Sequence, residues 1–97
     1  MPPSDEVEVL WNKHVSAPFP DGLAGEEIAG VELVMLDADI AGCVSTWLGN
    51  RGRLDDERKA ILARCLDQLD NVLPLLEEDG AREYFAQLRR LAQLTLS

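Results

Sequence analysis

Between Ile61 and Leu76 the apolar residues Ile61, Leu62, Cys65, Leu66, Leu69, Val72, Leu73 and Leu76 recur three and four positions apart. That spacing lines one face of an α-helix, whose period is about 3.6 residues. Ahead of it, Leu54-Asp55-Asp56-Glu57 supplies a cap and an acidic first turn, so the helix starts at Asp55 or Asp56. Pro74 falls inside the pattern. It lacks a backbone donor and its ring clashes with the preceding turn, which predicts a kink or break near Asp70–Leu73. Asp79-Gly80 closes the segment. A further helix is then expected from about Ala81 to Leu96, with Ala81, Tyr84, Phe85, Leu88, Leu91, Ala92 and Thr95 inward.

Upstream, a helix is expected from Glu26 or Val31 to Leu48, stopped by Gly49-Asn50. Leu33, Leu36, Ile40, Cys43, Val44, Trp47 and Leu48 form one apolar stripe, and Val31, Val34, Met35, Ala38 and Ala41 a second. A helix apolar on nearly all sides is covered on nearly all sides. Residues 1–24 contain Pro2, Pro3, Pro18, Pro20 and Gly22, and Val7, Val9 and Trp11 alternate with other residues. This alternation reads as an extended arm whose Val7, Val9 and Trp11 pin to the helices, with no intrachain partner strand. Short connections imply antiparallel neighbours. The expected fold is therefore all-α, a three-helix up-down-up bundle over residues 25–97 with an extended N-terminal arm over 1–24.

Charge narrows the function classes. The net charge is −9, and residues 1–50 hold nine carboxylates against the single cation Lys13. Nucleic acid is excluded as a partner on this reading, because phosphate contacts need clustered Lys and Arg. No apolar run reaches the roughly 20 residues that span a bilayer, so no membrane is expected. The first six residues resemble no export signal, and Cys43 and Cys65 sit in apolar helical patterns without C-x-x-C spacing. Reduced, buried thiols and a cytoplasmic location are the corresponding expectations.

Few residues carry chemistry. Val34-Met35-Leu36-Asp37-Ala38-Asp39-Ile40 resembles, over about nine residues, the D-x-D nucleophile motif of haloacid-dehalogenase-type phosphatases, which binds magnesium. On a helix, however, Asp37 and Asp39 point about 200° apart and cannot share an ion. Asp37 instead lies in the apolar stripe between Val44 and Leu48, where a carboxylate needs a partner. The antiparallel register offers Arg89, giving an expected Asp37–Arg89 pair, and the alternative is a pocket lined by Asp37, Trp47, Arg58 and Tyr84. His14 has no second histidine or cysteine near it in sequence, so no metal site, catalytic residue or cofactor is expected. The resulting expectation is a non-catalytic protein–protein interaction module. It would form a homodimer through Val7, Val9, Trp11, Val31, Val34, Met35, Ala38 and Ala41. The alternatives are an acidic inhibitor or immunity-type protein capping a basic partner, and a small-ligand-binding or enzymatic pocket around Asp37.

Overall fold

The structure, a computed structural model, describes residues 3–97. It is mostly helical, with four helices and a small hairpin. Helix α1 spans Pro3–Ser16, and strands β1 (Glu27–Ile28) and β2 (Val31–Glu32) form the hairpin. Helices α2 (Leu33–Gly49), α3 (Asp56–Val72) and α4 (Asp79–Leu96) follow.

The N-terminal segment is the main correction: it is helix α1, not an extended arm. Val7, Leu10, Trp11 and His14 stand three and four residues apart, so a helix places them on one face. Val7 is fully buried in the common core, with Leu10 and Trp11 packed around it. The alternation of Val7, Val9 and Trp11 is thereby broken, since Val9 is 49% exposed. The acidic first turn (Asp5, Glu6) and basic last turn (Lys13, His14) suit the helix dipole.

The second correction is the hairpin. β1 and β2 pair antiparallel, Glu27 with Glu32 and Ile28 with Val31. The two-residue turn between them puts Ala29 at φ 54 and Gly30 at φ 77, the doubly left-handed geometry of tight hairpins. It ends any helical path from Glu26 and delays α2 to Leu33. There the Met35 backbone N–H donates to Glu32 Oε2 at 2.6 Å, capping the helix.

α2 ends on Gly49, and the left-handed residues that close it are Arg51 (φ 56) and Gly52 (φ 81) rather than Gly49-Asn50. The left-handed backbone favours glycine at 52, and a Cβ there would stand a tight 3.3 Å from the Trp47 ring. Asp55 caps α3 by accepting from the Arg58 backbone N–H. At Pro74 the α-helix gives way to a 3-10 turn over Leu73–Leu75.

α4 packs against each of the other three helices. Its Phe85, Leu88, Leu91 and Ala92 meet Leu33, Leu36, Ile40 and Val44 of α2 and Leu62, Cys65, Leu69 and Val72 of α3 in one core. The contacts Glu6–Arg90 and His14–Tyr84 run in opposite chain directions, so α1 lies antiparallel to α4. Contacts Asp39–Arg64 and Cys43–Arg58 show the same for α2 and α3. Both cysteines are free and buried. Burial pushes the Cys65 thiol up to about 11 and the Cys43 thiol above its ordinary range. Among the described residues no helix is long and apolar enough to cross a membrane.

Candidate functional site

Three helices bring one polar side chain each to a common point. His14 closes the inner face of α1, Asp37 flanks the buried stripe of α2, and Tyr84 lies beside Phe85 on α4. His14 Nε2 lies 2.8 Å from Asp37 Oδ1, and the Tyr84 hydroxyl donates to Asp37 Oδ2 at 2.6 Å. Each carboxylate oxygen thus takes one donor, from two different helices. The His14 and Asp37 side chains are only 6% and 16% exposed, so these bonds replace most of the water the carboxylate gave up. Because an ionised carboxylate only accepts, Nε2 is assigned the proton. Burial, then the hydrogen bond to Asp37 and its charge, push the Tyr84 hydroxyl far above its ordinary range, so it remains a neutral donor.

Aromatic rings surround this node. His14 lies 6.1 Å from Trp11 and 5.0 Å from Tyr84 between centroids, and Tyr84 lies 5.7 Å from Phe19 and 5.1 Å from Phe85. Beside them opens a cleft of about 400 Å³ between the C-terminal end of α1, the loop that follows it and the start of α4. His14, Phe19 and Tyr84 line it together with the carboxylates Asp21, Glu78 and Glu83, and among the described residues no lysine or arginine does.

Asp37 and Tyr84 come together, but the rest of the expected pocket does not assemble. Arg89 donates to Asp70 at 2.9 Å instead of to Asp37. The α1 helix, absent from the sequence-based expectation, delivers His14 to the position Arg89 was assigned. Arg58 is exposed and pairs with Asp55 at 3.2 Å. Trp47 is buried beside Gly52, away from Asp37, where it borders a separate cleft with Leu48, Arg51 and Leu94. Asp39 pairs with Arg64 at 3.4 Å, away from Asp37. His14 was the missed residue, and its signal was the spacing Val7-Leu10-Trp11-His14.

The expected interface residues divide likewise. Val7 and Val31 are buried in the protein's own core and so are not free for a partner, and Trp11 is partly buried against that core. Val9, Val34 and Met35 are 49%, 41% and 58% exposed; Ala38 is exposed and Ala41 partly so. Val34, Met35, Ala38 and Ala41 thus form an outer strip on α2. The helix carries only two charged residues, Asp37 and Asp39, and both are engaged elsewhere.

Among the described residues no group of three or more His, Cys, Asp and Glu could hold a metal ion. The chain matches no family model, no curated protein and no solved structure.

Proposed function

We propose that the protein is a non-catalytic interaction module that pairs with a second copy of itself through the outer strip of α2. The observation that carries this reading is the exposure of Met35 (58%) and Val34 (41%) on a helix whose inner face already fills the core. One further point supports a second copy as the occupant. The net charge of −9 opposes self-association over most of the surface, so two copies can meet only where charge is lacking. The α2 strip holds no unengaged charge, and small residues Ala38, Ala41, Gly42 and Ser45 let two such helices approach closely. A two-fold axis through this strip sets the same residues opposite each other.

Light scattering at micromolar concentration tests the proposal. The expected result is twice the chain mass of 10.7 kDa for the native protein and a monomer for Met35→Glu. A native monomer at that concentration overturns it. Circular dichroism of the variant checks that the fold is unchanged.

A further inference from the structure

The outer strip of α2 is graded in size. Val34 and Met35 stand at its start, and Ala38, Gly42, Ser45 and Gly49 follow at the spacing of one helical face, all exposed. Gly42 lies in the interior of the helix, where glycine is less favourable than alanine. Its φ is not positive, and a Cβ there would meet nothing within 4 Å. Neither backbone nor space within the chain calls for a glycine, whereas a second backbone approaching closely does.

The two ends of the strip differ in charge. At its start the hairpin sets Glu27 opposite Glu32, the Leu33 N–H donates to the Glu26 carbonyl, and the Glu32 carboxylate caps Met35. Residues 26–32 thus bring three carboxylates and no cation. At the other end the N–H groups of Asn50 and Gly52 donate to the Trp47 carbonyl, which folds the loop carrying Arg51 and Arg53 back onto the last turn of α2. Over residues 51–59 four cations face three carboxylates, of which Asp55 is taken by Arg58. Glu26, Glu27, Glu32, Arg51 and Arg53 have no ion-pair partner among the described residues. The two charged ends are about 25 Å apart, the length of a 17-residue helix.

Resting on the self-association proposed above, we infer that two copies pack α2 against α2 antiparallel, with the two-fold axis at Ala41–Gly42. Ala38 then faces the partner's Ser45, and the larger Val34 and Met35 lie over the partner's small Ser45 and Gly49. Glu26, Glu27 and Glu32 come level with the partner's Arg51 and Arg53, once at each end of the interface. A parallel pair would stack Met35 on Met35, leave a gap at Gly49 and set like charges together at both ends, which is costly. Size and charge thus choose the same orientation, and the glycine falls where the two backbones come closest.

Mild oxidation of an equimolar mixture of Ala38→Cys and Ser45→Cys chains tests the orientation; both native cysteines are buried. The expected main product is the mixed disulfide. Two copies of the same variant hold their cysteines about 10 Å apart along the axis, beyond the roughly 4.4–6.8 Å between Cα atoms that a disulfide spans. Arg51→Glu combined with Arg53→Glu should weaken the dimer about tenfold at low salt and less at high salt, as read by analytical ultracentrifugation. Gly42→Leu should weaken it at least about tenfold with an unchanged circular dichroism spectrum, since the added side chain has open space in the monomer. Self-linked Ser45→Cys chains as the main product, or a dimer indifferent to the double charge reversal, would overturn this arrangement and leave the dimer standing. A native monomer removes both.

Discussion

On its inner side α2 sets Leu36, Ile40, Cys43 and Val44 into the core, all at most 3% exposed. Around the same helix Val34, Met35 and Ala38 face outward. Hydrophobicity does not separate the two sides, since valine and large aliphatic side chains occur on both. What separates them is whether another element lies opposite: α3 and α4 cover the first side, whereas α1 reaches α2 through the His14–Asp37 contact and leaves the outer strip bare. A helix apolar all round therefore marks total demand for cover, not which side is met by the chain itself.

Substitutions along α2 can break or sharpen that contrast. Ile40→Ala on the inner side should cost about 2–5 kcal/mol in urea unfolding, because fully buried branched side chains leave cavities that cores close only in part. A cost below about 1 kcal/mol would mean that the inner side is no better packed than an exposed site. Asp37→Asn lies between the two sides and should cost about 1–3 kcal/mol, since an amide cannot accept from both His14 and Tyr84 as a carboxylate does. Combined with Tyr84→Phe in a double-mutant cycle, it should show a coupling of about 0.5–3 kcal/mol, and additivity would dissolve the node. At the outer end of the scale, Met35→Glu should change monomer stability by less than about 0.5 kcal/mol. A larger loss would place Met35 with the inner residues.

The helical register of α3 and α4 was legible because each repeats its apolar period over several turns; Asp55 caps α3, whereas α4 starts at Asp79, two residues before the expected Ala81 and with no side-chain cap. Residues 5–14 were ambiguous because Val7, Val9 and Trp11 satisfy a strand period, while Val7, Leu10, Trp11 and His14 satisfy a helical one equally well. Contacts with α4 resolve that tie, and no local pattern records them. The hairpin was hidden because Ala29 takes a left-handed conformation that alanine seldom adopts. Asp37 stood out correctly as a carboxylate on an apolar stripe. Of its two partners, Tyr84 was among the residues grouped with it, but His14 could not be found while α1 was read as extended. Arg89 has a carboxylate closer at hand, Asp70 on the neighbouring helix α3.

The bonds at Asp37 span 23 residues toward the N-terminus and 47 toward the C-terminus. On the ribosome, α1 and α2 emerge first, but the Tyr84 hydroxyl arrives only with α4. Until then Asp37 has one of its two donors, and the inner sides of α1, α2 and α3 lack the helix that all three pack against. A nascent or truncated chain stopping before α4 would carry that apolar surface uncovered, the condition in which partly made domains engage chaperones or aggregate. α4, made after the three helices it covers, is thus the one that completes both the core and the polar node.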